Sequence, residues 1–141
     1  MSGNKIIFIA ILGVAIMFFL LGLKSQKGSA PGLKNGRLSP CSSKPNCVSS
    51  ESDTQPEKVV APLDTTMAKA KNAILETGGT IVTETDDYIA ATYMSKIYKF
   101  VDDVELRDSG DGAVHIRSAS RVGYSDRGVN RKRVAAIRAA L

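Results

Sequence analysis

The hydrophobic positions of this chain change their period along its length, and each change marks a different kind of element. Residues 6–23 (Ile-Ile-Phe-Ile-Ala-Ile-Leu-Gly-Val-Ala-Ile-Met-Phe-Phe-Leu-Leu-Gly-Leu) carry no charged or hydrogen-bonding side chain. As a helix such a run reaches about 27 Å at 1.5 Å per residue, close to the hydrocarbon thickness of a bilayer. Residues 1–24 are therefore read as a single-pass transmembrane anchor. A cleaved secretory signal is the competing reading, but no small-x-small site follows closely and the run exceeds a usual signal core. No cysteine directly follows the run and position 2 is serine, so neither pattern for lipid attachment is present.

Apolar periodicity then stops. Residues 25–57 are rich in Gly, Ser, Pro and Lys, which predicts a linker: a flexible tether up to Leu38, then a wrap around Cys41 and Cys47. The globular domain is expected over 58–141. A helical period over 65–77 places Met67, Ala70 and Ile74 on one stripe, with Asp64 as N-cap and Gly78-Gly79 as the stop. Alternating or β-branched segments follow at 80–85, 88–94, 97–106 and 113–122. Their breaks are Asp86-Asp87, the neighbourhood of Ser95, and Asp108-Ser109-Gly110-Asp111-Gly112. A last helix is predicted from Ser125 or Asp126 to Leu141, with Val134, Ile137 and Leu141 inward. The fold class is α+β: an N-terminal transmembrane helix, then helix, four-stranded antiparallel meander and helix, with both helices on one face of the sheet.

Alternation also assigns faces to the last hairpin. Tyr98, Phe100, Asp102, Val104 and Leu106 share a core face with Val114, Ile116, Ser118, Ser120 and Val122. Lys99, Val101, Asp103, Glu105 and Arg107 share the polar face with His115, Arg117, Ala119 and Arg121. A turn centred on Gly110 sets Asp103 opposite Arg117, Glu105 opposite His115, and Asp102 opposite Ser118. Asp102 is charged in an apolar register, so it needs Ser118, Ser120 or an arginine of the last helix as partner. His115 reads first as a solvated strand residue, and Arg117 and Arg121 beside Asp103 and Glu105 read first as cross-strand ion pairs.

Charge changes the picture less than the net of +5 suggests, because six of the nineteen basic residues precede residue 58. From Lys58 onward there are 13 basic and 11 acidic side chains, a net of +2. A balance of that kind, with no Trp and no stacking series of aromatics, argues against nucleic acid as partner. No spacing calls for a cofactor or a metal. Cys41 and Cys47 can close a small disulfide loop worth roughly 2 kcal/mol; a metal pair with His115 and a carboxylate, or a redox dithiol, remain as alternatives. The two arguments for orientation disagree. Lys24, Lys27, Lys34 and Arg37 after the helix favour a cytosolic domain, whereas a disulfide favours the extracytoplasmic side, which is preferred.

Three motifs, Leu38-Ser39-Pro40-Cys41 with Pro45-Asn46-Cys47-Val48-Ser49-Ser50, then Phe100-Val101-Asp102-Asp103-Val104-Glu105, then the stretch from Arg117 to Arg133, closely resemble the bacterial and plastid family known as domain of unknown function 1499. The resemblance runs from about residue 38 to the C-terminus. Hallmark positions of that family fall on Cys41, Cys47, Asp102, Asp103, Arg117, Arg121, Asp126, Asn130 and Arg131, and the chain departs from none of them. It implies no activity, since the family has none established. It implies an N-terminal export or membrane segment, as members of this kind often carry.

The leading expectation is a membrane-tethered, non-catalytic domain. Its loop and last helix (Arg117, Arg121, Arg127, Asn130, Arg131 and Arg133) would bind an anionic ligand, a lipid head group or an acidic patch on a membrane-protein partner. Asp102, Asp103, Glu105 and Asp126 would form the supporting charge network. The alternatives are a small hydrolase or transferase using Asp102 or Asp103 with His115, and a purely structural envelope subunit.

Overall fold

A computed structural model describes residues 2–141. The chain opens with α1 (Gly3–Gln26), one helix long and apolar enough to cross a membrane. Strands β1 (Leu33–Lys34) and β2 (Arg37–Leu38) form a small hairpin, and β3 (Cys47–Ser49) follows. A 3-10 turn at Pro56–Lys58 leads to β4 (Leu63–Asp64) and α2 (Met67–Glu76). The remainder is β5 (Thr80–Glu84), β6 (Tyr88–Met94), β7 (Val101–Asp108), β8 (Ala113–Ser120) and α3 (Val129–Ala139).

The four expected strands do pair as an antiparallel series, β5 to β8, but the sheet has six strands rather than four. Its order is β3-β8-β7-β6-β5, and β4 pairs with β8 as well. The Ser-rich segment around the cysteines thus covers an edge that a bare meander would leave unpaired. Cys41 and Cys47 are disulfide-bonded, with Cα atoms 5.7 Å apart, at the start of that added strand.

Boundaries shift where capping and turn chemistry outrank pattern. Asp64 lies in β4, and the cap of α2 is Thr66, whose side chain accepts from the Lys69 amide. Helix α3 begins at Val129 because Arg127 and Gly128 have φ of 53° and 79°, and Leu141 is exposed instead of inward. Strand β7 starts only at Val101. Tyr98 and Phe100 lie in the β6–β7 loop, not in the core, and their rings meet Phe18 of α1.

The main core joins Ala70, Ala73 and Ile74 of α2 and Val134 and Ile137 of α3 to Ile89, Ala91, Val104, Leu106, Val114 and Ile116 of the sheet. The opposite face was expected to meet water, yet it is largely covered. Residues 28–38 lie across it, with Ala30 and Leu33 packed on a cluster of Leu38, Tyr88 and Ala90. Asn35 and Gly36, both at positive φ (52° and 72°), make the two-residue turn between β1 and β2. The expected flexible tether is therefore bound to the sheet over much of its length, with Gly32 donating its amide to Glu105 at 2.9 Å.

Candidate functional site

Along the covered face runs a series of ion pairs. Strands β7 and β8 pair with Glu105 opposite Arg117 and Asp103 opposite Ala119, a register shifted by two residues from a turn centred on Gly110. A two-residue shift keeps every side chain on its face and changes only its partner. Arg117 accordingly reaches Glu105 at 2.9 Å, and Arg121 holds Asp103 through two bonds of 2.8 and 2.7 Å. Asp103, Glu105 and Arg117 are all buried. Tyr88 donates its hydroxyl to Glu105 at 2.8 Å, and burial together with that bond raises the pKa of the phenol. The hydrogen bond to Asp103 raises the pKa of Arg121 as well.

Further along the same face Glu51, which sequence reasoning did not single out, accepts two bonds from Arg107, one from Arg37 and one from the Leu38 amide. Burial pushes its carboxyl upward, but these donors outweigh burial and hold the pKa at about 2. His115 lies beside this cluster, its Nδ1 3.0 Å from Ser50 Oγ and 3.9 Å from Glu51.

The second assembly stands at the α3 end of the sheet. Asp102 pairs with Arg133 at 2.7 Å, and Arg133 also donates to Asn130 and lies over the Tyr93 ring. An arginine of the last helix is thus the partner that the charged residue in an apolar register requires. Asn130 is fully buried; it accepts from Ser118 and donates to Ser120, Asn46 O and Asp126. Asp126 also accepts from the amides of Gly128 and Asn130. Burial raises its carboxyl, and these amide and side-chain donors override that to leave the pKa lowered.

Of the six candidate ligand residues, Arg117, Arg121 and Arg133 each hold a carboxylate of this chain, and the Asn130 side chain is used internally. Arg127 is exposed. Arg131 donates to two backbone carbonyls, Val59 O at 2.9 Å and Glu57 O at 2.8 Å. It lines a cleft of about 260 Å³ with Pro45, Cys47, Val48, Glu57, Lys58, Ser125, Asp126 and Gly128. Lys58, a residue with no sequence signal beyond its charge, is buried there, and its ammonium meets Ser42 O and Gln55 Oε1. Among the described residues neither Lys58 nor Arg131 forms an ion pair with a carboxylate.

A second hollow, of about 250 Å³, runs beside Asp103, Arg117 and Arg121, but each of those guanidinium groups faces a carboxylate. Arg117 Nε is buried beside it without a hydrogen-bond partner. The pairing that the catalytic alternative needs is not brought together: His115 pairs with Arg107, whereas Asp102 pairs with Ser120, five positions further along β8, and Asp103 with Ala119, four positions further. Even the nearer of the two is thereby separated from His115 by roughly 13 Å at about 3.3 Å per residue. Among the described residues no group of three or more His, Cys, Asp or Glu is placed to hold a metal ion.

No curated protein and no solved structure matches the chain. A family model does, over residues 37–141, which takes in the disulfide loop, the charged face and the cleft. By that match the chain belongs to the family described as protein of unknown function DUF1499.

Proposed function

We propose that this protein is a single-pass, membrane-tethered, non-catalytic module that binds an anionic group, a lipid head group in the first instance, in the cleft between Lys58 and Arg131. The observation that carries the reading is that these two cations line one cleft and are bonded only to neutral oxygens. A buried ammonium without a counter-ion is costly, and an arriving phosphate supplies one. Asp126 and Glu57 line the same cleft; the Asp126 oxygens are engaged by the α3 amides and Asn130, and Glu57 forms no ion pair with either cation. Arg127, between the cleft residues Asp126 and Gly128 in the chain, is exposed. Arg117, Arg121 and Arg133 serve the fold.

Retention of α1 is supported by its contacts. Val101 donates its amide to the buried Ser25 hydroxyl at 3.0 Å, and Arg121 donates to Ser25 O at 3.1 Å. Removal of α1 would strip both. The cleft residues Ser125, Asp126 and Gly128 follow Ser120 in the chain, and Ser120 pairs with Asp102 beside Val101. They follow the end of the sheet that α1 abuts, so the cleft lies on the side of the domain nearer the anchor. An extracytoplasmic placement is favoured by the Cys41–Cys47 bond. The opposing charge argument weakens, since Arg37 is committed to Glu51 and Asp53 within the domain.

The test uses the full chain in nanodiscs. Replacing neutral phosphatidylcholine by a mixture with phosphatidylglycerol is expected to raise the melting temperature by a few degrees, as ligand linkage requires. Arg131→Gln and Lys58→Met are expected to fold and to lose that rise. Inorganic phosphate added to neutral nanodiscs separates a free anion from a head group. No rise in either arm, or a rise that both variants keep, overturns the reading.

A further inference from the structure

Helix α1 does not merely precede the domain; its last turns are built into the β6–β7 loop. Gly22 lies so close to Tyr98 that a Cβ there would stand 1.8 Å from the Tyr98 carbonyl oxygen, so only glycine permits the approach. The Phe18 ring lies 5.4 Å from the Tyr98 ring, tilted against it, and 6.2 Å from the Phe100 ring, edge to face. Gln26 adds a bond to Lys99 O. Phe18 lies six positions before Lys24, the first charged residue after the apolar run, which is about 9 Å of helix at 1.5 Å per residue. The loop therefore touches α1 below the level at which the apolar stretch ends.

The loop has the composition that such a depth demands. Ile97 is 82 % exposed, more than any large apolar side chain of α1, and Met94 is 57 % exposed. Ile97 stands at the tip and Met94 at the end of β6 that leads into it, beside Lys96 and Lys99, which are also exposed, and Tyr98. Aromatic rings and lysines that reach back to the head groups around an apolar tip are the chemistry of a membrane interface. In water the same tip is only a cost, with no apolar partner to cover it.

We infer that residues 94–100 dip into the bilayer leaflet that α1 leaves, giving the protein a second membrane contact beside its span. This rests on the reading of α1 as a retained membrane helix. Two contacts fix the rotation of the domain: the β6–β7 loop and the end of β8 face the lipid, and the β5–β6 and β7–β8 turns point away.

Single cysteines in the full chain test the inference, since Cys41 and Cys47 are bonded to each other and leave the new thiol alone to label. An environment-sensitive fluorophore is placed at Ile97→Cys, at Asp86→Cys in the distant β5–β6 turn, and at Ile11→Cys within α1. Each protein is reconstituted into phosphatidylcholine vesicles carrying nitroxide lipid. Labels at 97 and 11 are expected to shift to the blue and lose most of their fluorescence, while the label at 86 keeps its own. Quenching at 11 without quenching at 97, or equal quenching at 97 and 86, overturns the loop contact and leaves the anchor standing. Quenching at none of the three sites overturns the anchor and the loop contact together.

Discussion

The two faces of the sheet are both covered, and they are covered by opposite chemistry. Under α2 and α3 the side chains are Val104, Leu106, Val114, Ile116 and their neighbours, which need only volume and dryness. Under residues 28–38 they are Asp103, Glu105, Arg117 and Arg121, which need partners at bonding distance. The first face tolerates an approximate fit at moderate cost. The second requires that each buried charge find its counter-charge, since an uncompensated ion in a dry setting loses several kcal/mol of hydration. What covers each face differs accordingly: two amphipathic helices on one side, a segment offering backbone amides and small residues on the other.

The largest expected effect comes from breaking the ionic side at its centre. Glu105→Ala would leave Arg117 buried without its carboxylate and remove the acceptor for Tyr88 and Gly32, so a loss of about 3–5 kcal/mol in chemical denaturation is expected. Ile116→Ala, at the centre of the apolar side, is the counterpart at about 2–5 kcal/mol. Glu105→Gln keeps an acceptor and removes only the charge, and adding Arg117→Met to it should restore part of the stability, where no second change repairs Ile116→Ala. If Glu105→Ala costs less than about 1 kcal/mol, the ionic face is no more than a surface salt bridge and the contrast collapses.

The apolar side was far easier to read from sequence. Its strands alternate, its helices repeat, and the paired Asp and Gly residues of 108–112 mark the hairpin. Even the misplaced turn centre left Val104, Leu106, Val114 and Ile116 on their proper face, because a two-residue shift of register preserves it. The ionic side was half legible: alternation put Asp103, Glu105, Arg117 and Arg121 together, but nothing periodic in residues 25–38 announced that they would be covered. Asn35-Gly36 was the available signal, a dipeptide suited to a tight hairpin turn. The cleft was harder still, since Lys58 and Arg131 meet through a turn and a helix start whose only shared mark is charge. Tyr98 and Phe100 fitted a strand pattern, and only their contact with Phe18 reveals their place in a loop.

Acid sharpens the comparison at the next scale. The Glu51 carboxyl is held at about 2 against an ordinary 4.5. A carboxyl depressed on folding contributes stability that is complete above its unfolded value and is lost as pH falls through the folded one. The loss therefore falls between about pH 4.5 and pH 2, and at about 1.4 kcal/mol per unit it amounts to roughly 3 kcal/mol. Glu51→Gln is expected to flatten denaturation midpoints across that window, leaving the smaller acid responses of Asp126 and Asp111, whose carboxyls are also held low by hydrogen bonds. Ile116→Ala should lower the whole curve without changing its slope. A curve for Glu51→Gln parallel to that of the parent protein would mean that Glu51 is not held by Arg107 and Arg37 in solution.

Salt gives the smallest expected effect, and its smallness is what separates a buried ionic face from an exposed one. Charges in water are screened within about 10 Å at 0.1 M salt and within about 3 Å at 1 M, so exposed pairs fade over that range. Lys71 with Glu84 is such a pair, and it contributes little at any salt. Asp103 with Arg121 and Glu105 with Arg117 are largely withdrawn from water, their side chains 5 % and 12 %, and 0 % and 10 %, exposed. Raising sodium chloride from 0.1 to 1 M should thus change the stability by no more than about 0.5 kcal/mol beyond the general salting effect on apolar burial. Ile116→Ala reports that general effect, because it weakens the apolar side and leaves every charge in place. A fall in stability with salt that is steeper in the parent than in a Glu105→Gln, Arg117→Met variant would place the ion pairs in contact with solvent. Residues 28–38 would then be a loose strap and not a cover.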